Sequence, residues 1–143
     1  IVVAFLVTIE REVQSEVARL AHGRASLETT LTRYVLSQLE LKAPHHAFVR
    51  VFLAQMCAGK ARTDWLTEIQ TVIDPPLIQM FSSLQKRGLM RSDVDMETLT
   101  SSFKVVQLGL TMLWAMGEPG WRELEGIVRM QVRLFCSGVE TRS

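Results

Sequence analysis

The tandem His45-His46, the thiol of Cys57 and the carboxyl of Asp64 are the side chains of this chain best equipped for chemistry. Imidazoles bind metals or move protons, and a thiolate beside an imidazole can attack a carbonyl. The spacing argues against a chelate. Neighbouring residues of a helix point about 100° apart, whereas two ligands on one face need a spacing of four. Cys57, His45 and Asp64 supply the residue types of a nucleophile, a base and an orienting acid, but nothing in the sequence brings the three together, and a buried cysteine is far commoner than a catalytic one. Cys57 and Cys136 have no Cys-x-x-Cys spacing, so they predict neither a disulfide framework nor a zinc site. Gly109, Gly117 and Gly120 lack the strand, turn and helix context of a phosphate-binding loop. The expectation is a protein that is not an enzyme, with no cofactor and no metal.

A second group of residues suggests binding instead. Tyr34, Phe52, Met56, Trp65, Phe81 and Met112 are bulky side chains on different predicted helices, and methionine with aromatic walls suits a cavity for apolar ligands. Each of them taken singly reads more readily as ordinary core.

The elements that must carry these residues are all helical. Apolar residues recur at spacings of three and four, and alternating strand patterns are absent, so the class is all-α, a single domain over residues 1–143 with about six helices. A first helix is predicted over residues 1–20, with Phe5, Ile9, Val13 and Val17 on one face and His22-Gly23 ending it. Ser26 caps a second, with Leu27, Leu31, Tyr34, Val35 and Leu39 inward and an end before Pro44. A third starts near His45 and stops at Gly59. A fourth starts at Thr63 or Asp64, is kinked or broken at Asp74-Pro75-Pro76, and resumes to Arg87. The next helix begins at Met96. The last is predicted from Trp121 to Ser137, with Gly138 ending it and a polar tail that frays.

Composition narrows the function. The 143 residues are 48% hydrophobic, and a mean hydropathy of +0.16 is high for a monomer with a fully polar surface. Sixteen basic against 15 acidic residues leave a formal charge of +1, which is no electrostatic footprint for duplex DNA. The sequence opens Ile1-Val2-Val3, with no initiating Met, basic leader or cleavage site. A fragment of a longer, cytoplasmic protein is the expectation, with no membrane association.

Residues 81–116 join three features. Lys86 and Arg87 place cations at a helix C-terminus, and Gly88 follows where a left-handed cap is needed. Arg91-Ser92-Asp93-Val94-Asp95 is a short polar link in which Asp95 can cap a new helix, with Glu97 in its first turn. From residue 105 to 117 that helix carries no charge, too short a stretch to cross a bilayer and too apolar for one solvated face, so it is expected to be buried on nearly all sides. Leu99, Phe103, Val106, Leu110 and Leu113 make one seam, and Val105, Leu108 and Met112 a second face. On the last helix Leu124, Ile127, Val128, Gln131, Leu134 and Phe135 form a seam, opposite Arg122, Glu123, Arg129 and Arg133. Residue patterns alone leave open whether these seams close a monomer core or a dimer.

The helix end at Arg87-Gly88, the link 91–95 and the long helix Met96–Met116 resemble, in that order, the sensor half of the TetR family of transcriptional regulators. The resemblance implies a ligand-binding and dimerisation domain whose last two helices form a four-helix bundle with a second subunit. Phe103, Val106, Leu110, Leu113, Leu124, Ile127, Gln131 and Leu134 would then lie at the homodimer interface. It also implies a small apolar or amphipathic effector held among the middle helices by Tyr34, Phe52, Met56, Trp65, Phe81 and Met112, with Gln55, Gln107 and His22 as polar contacts. DNA would be met only through a helix-turn-helix domain preceding Ile1, absent from this chain, and effector would release a repressor from half-sites about 34 to 36 Å apart. A stand-alone helical protein-protein interaction module is the alternative.

Overall fold

A computed structural model of the chain describes residues 2–21, 24–59, 63–117 and 120–141, with the backbone alone for residues 2, 3, 20, 21 and 63–66. It is all-helical: α1 (Val2–Ala21), α2 (Leu27–Lys42), a 3-10 turn η1 (Ala43–His45), α3 (His46–Cys57), α4 (Thr63–Lys86), α5 (Met96–Met116) and α6 (Trp121–Val139). None of these helices is long and apolar enough to cross a membrane.

The central element is α2, which packs against α1, α5 and α6. Ser26 caps it by accepting the Thr29 N–H at 3.1 Å, and Leu27, Leu31, Tyr34, Val35 and Leu39 are buried. Its polar Thr30, Thr32, Ser37, Gln38 and Lys42 are buried too, because neighbours cover more than one face of the helix. Buried polar groups need partners. Thr30 Oγ donates to Ser26 O at 2.9 Å, and Ser37 Oγ to Glu16 Oε2 at 2.8 Å. α1 packs on both α2 and α4 and buries Ile9, Val13 and Val17 of its predicted face, while Phe5, the fourth, is partly buried.

The connection from α4 to α5 matches its sequence signals closely. Gly88 has φ +76°, its N–H donates to Gln85 O at 2.9 Å, and the Leu89 N–H reaches back to Leu84 O at 3.0 Å. Those paired bonds close the helix end only if the glycine position is left-handed. Asp95 accepts the Thr98 N–H at 2.9 Å and caps α5, an interaction that holds its carboxyl below the usual range. Between the two, Arg91 makes a two-point pair with Asp93 at 3.0 and 2.8 Å, and the Gln85 amide donates to Arg91 O at 3.1 Å.

Four expectations are corrected. Of the kink or break expected at Pro75 and Pro76, the break does not occur, and α4 continues as one helix through both. The two lost donors fall in one turn, and Leu77, Met80, Phe81 and Leu84, all buried just beyond, hold the following segment in place. Gly138 does not end α6, which continues to Val139. Nor does the described tail fray: the Arg91 N–H donates to Val139 O at 2.8 Å and Thr141 Oγ1 donates to Gly88 O at 2.7 Å, so the loop after α4 supplies the partners. Finally, the uncharged stretch of α5 is buried on one side only. Phe103, Leu110, Trp114 and Ala115 face the core, while Val105 is 71% and Met116 63% exposed. The predicted helix end at His22-Gly23 lies outside the described residues.

A candidate ligand cavity between α1, α3, α4 and α5

Beside the core, α1, α3, α4 and α5 line a cavity of about 270 Å³ that is open to solvent on one side. From α1 come Phe5 and Leu6, and from α3 Phe48, Val49, Phe52, Leu53 and Met56. α4 adds Ile69, Gln70, Ile73 and Asp74, and α5 adds Lys104, Gln107, Leu108 and Thr111. The spacing of four and three on α3 (49, 53, 56) is what turns that set toward a common space. Polar groups are few. At the rim the Lys104 ammonium donates to Asp74 Oδ1 at 2.8 Å. Thr111 turns its hydroxyl back onto Gln107 O at 2.8 Å, leaving its methyl side for the wall. The remaining polar members are Gln70 of α4 and Lys42, at the end of α2.

Lys42 is 9% exposed. Burial lowers its pKa to about 8, and the charge of Glu10 opposes that shift only in part. Glu10, 4% exposed on α1, is itself saturated by neutral donors: Tyr34 Oη at 2.9 Å and Gln14 Nε2 at 2.8 Å on one oxygen, Gln38 Nε2 at 2.6 Å on the other. Burial first, then the charge of Glu10 and its hydrogen bond, push the Tyr34 phenol well above its ordinary value; the Gln38 and Gln107 amides pull the other way. Glu10, Tyr34 and Gln38 therefore form a buried hydrogen-bonded cluster.

The sequence-predicted site residues divide. Phe52, Met56 and Gln107 line the cavity. Tyr34 and Phe81 do not: both are fully buried in the main core, where their rings pack on Phe103 at 5.6 and 5.4 Å. A cluster of edge-on aromatic rings has no space for a ligand. Gln55 is exposed on the outer face of α3. Met112 lines a separate hollow of about 180 Å³ between α3 and α5, with Cys57 and Met116. The side chain of Trp65, and His22, lie outside the described residues. Sequence reasoning passed over Lys42, although it falls seven residues after buried Val35 on the same helical face; a cation in a last turn reads first as a complement to the carbonyls.

The expected interface divides too. Phe103, Leu110 and Leu124 are 1–3% exposed and belong to the chain's own core, as α5 packs on α6. Val106, Leu113 and Ile127 are partly buried against that core, and Gln131 is half-buried. Leu134, by contrast, is 61% exposed. Large apolar residues exposed on these two helices are Val105, Leu108, Met112 and Met116 of α5 and Trp121, Met130 and Leu134 of α6; Phe48, Val51 and Ile78 are exposed elsewhere. The tandem histidines part as their spacing requires. His45 stacks edge-on against Phe5 at 4.8 Å, and His46 against Trp114 at 4.8 Å. Cys57 is exposed, whereas Cys136 is buried, which drives its thiol pKa up to about 12. Among the described residues no group of three or more His, Cys, Asp or Glu is placed to hold a metal ion. No protein-family model matches this chain, and no curated protein or solved structure matches it either.

Proposed function

We propose that this domain binds a small apolar or amphipathic effector and forms a homodimer, as the sensor half of a TetR-like repressor that effector releases from DNA. The observation that carries the reading is the double duty of α5. One of its edges, Lys104, Gln107, Leu108 and Thr111, walls the cavity, while Val105, Leu108, Met112 and Met116 lie open to solvent. Leu108 belongs to both. Singly exposed apolar residues are ordinary, but a run at helical spacing marks a surface that another helix covers. Met130 and Leu134 of α6 are exposed as well, and on this reading they join the α5 residues as the surface that a two-fold four-helix bundle covers. An effector that shifts α5 would then change the subunit arrangement, with a coupling of about 1 to 3 kcal/mol.

Sedimentation of the chain as it stands tests the dimer; a monomer at micromolar concentration would sink it. The regulator assignment is tested by reading the coding sequence upstream of Ile1. A basic helix-turn-helix domain running into α1 is expected, and an unrelated domain or a start codon there would remove the assignment. In that case the same open face of α5 and α6 favours the second reading, a helical module that recruits a different protein.

A further inference from the structure

The feature that the ligand-binding reading does not yet use is the ammonium of Lys42. Lys42 is one of the residues lining the cavity and is 9% exposed as a whole; its ammonium feels the charge of Glu10, but no hydrogen bond to another described residue holds it. Its helix end does not explain it, because the Glu40 carbonyl is already taken by the Ala43 N–H. Glu10 compensates it in part through its charge, while its own hydrogen bonds come from Tyr34, Gln14 and Gln38. Asp74 is paired with the other cation of the wall, Lys104, at 2.8 Å. Burying an ammonium without a partner is costly, and such groups are normally paired. A cation in the wall of a largely apolar cavity is completed by an anion that enters with an apolar body.

We propose that the cavity takes an apolar monocarboxylate, its carboxylate paired with Lys42 and its tail lying against Phe52, Leu53, Met56 and Ile73. This rests on the ligand-binding reading and specifies its ligand class. Size sets the length of the tail. An engineered apolar cavity of about 150 Å³ holds benzene, so about 270 Å³ suits about ten to twelve heavy atoms, the size of octanoate or 4-phenylbutyrate. The carboxylate is favoured over a phosphate because Lys42 supplies one charge, and the other cation of the wall, Lys104, is neutralised by Asp74.

Calorimetric titration of octanoate, 4-phenylbutyrate and the two corresponding alcohols into the unmodified chain tests this at pH 7. At least one acid is expected to bind about tenfold or more tightly than its alcohol. Lys42→Met should abolish that preference while leaving alcohol affinity within about twofold. The pH dependence is a second readout that needs no variant. Lys42 loses its proton near pH 8 in the free protein, so acid affinity should fall between about pH 7 and pH 9.5, and alcohol affinity should not. Glu10, Asp74, Lys104 and His45, which stacks on the cavity residue Phe5, are the other titratable groups near that space; a pH effect that persists in Lys42→Met belongs to them and overturns the assignment to Lys42. Acid and alcohol binding equally, in both proteins, would overturn the carboxylate while leaving the ligand-binding reading intact. Binding of neither class would remove both.

Discussion

Lys42 is costly to the free protein, and its cost has a definite pH dependence. Its pKa falls from 10.5 to about 8 on folding, so below pH 8 both folded and unfolded chains carry the proton and the full penalty stands. Between about pH 8 and 10.5 the unfolded chain binds more protons than the folded one, so stability rises with pH through that window. Lys42→Met should therefore raise stability at pH 7 by about 1 to 3 kcal/mol and flatten the rise above pH 8, as read by urea denaturation across pH. Tyr34 is the opposite case. Its hydroxyl is a donor to buried Glu10 at 2.9 Å, and Tyr34→Phe strands that oxygen with one donor fewer. A loss of about 2 kcal/mol is expected at pH 7, by the same measurement. An unchanged midpoint would mean that water replaces the hydroxyl.

At the scale of elements, the junctions decide most. Gly88 holds φ +76° with no heavy atom within 4 Å of where a Cβ would stand. Gly88→Ala therefore carries conformational strain without a clash, and a drop of about 1 kcal/mol in unfolding free energy is expected, with unchanged helicity by circular dichroism. α5 offers a sharper contrast. Leu110 is 3% exposed and faces the chain's own core, so Leu110→Asp should abolish the folded helical signal outright by leaving a carboxylate among Phe103, Trp114 and their neighbours. A folded monomer from that variant would mean that Leu110 serves an interface instead.

For the whole molecule, the question is what covers the open face of α5 and α6. Val105 and Leu134 are 71% and 61% exposed, so an Asp at either position leaves the core untouched. The double variant Val105→Asp with Leu134→Asp should keep its circular dichroism and thermal midpoint within the range of ordinary surface changes, about 0.5 kcal/mol, and sediment as a monomer. A dimer that survives both charges would place its interface elsewhere. The ligand and dimer readings meet at Leu108, which lies in the cavity wall and is 44% exposed on the open face.

The sequence by itself determined what depends on near neighbours along the chain. Ser26 and Asp95 cap their helices because a side-chain oxygen must reach an N–H three residues on, and Gly88 closes α4 because only a left-handed residue fits there. The inward set on α2 followed from its helical spacing, as did the buried face of α1. The tertiary structure decided everything that needs a second element. Pro75 and Pro76 stay within α4 because downstream packing outweighs two missing donors. The tail after Val139 is held by the carbonyls of Gly88 and Leu89, in another part of the chain, which accept from the Thr141 hydroxyl and N–H. Periodicity gave α5 two apolar faces of similar quality and could not say which one meets α6. Tyr34 and Phe81 are the same kinds of residue as Phe52 and Met56, yet the first pair closes a ring cluster and the second lines a cavity. Whether a bulky side chain fills space or borders it depends on how far apart the neighbouring helices sit, and local sequence carries no measure of that distance.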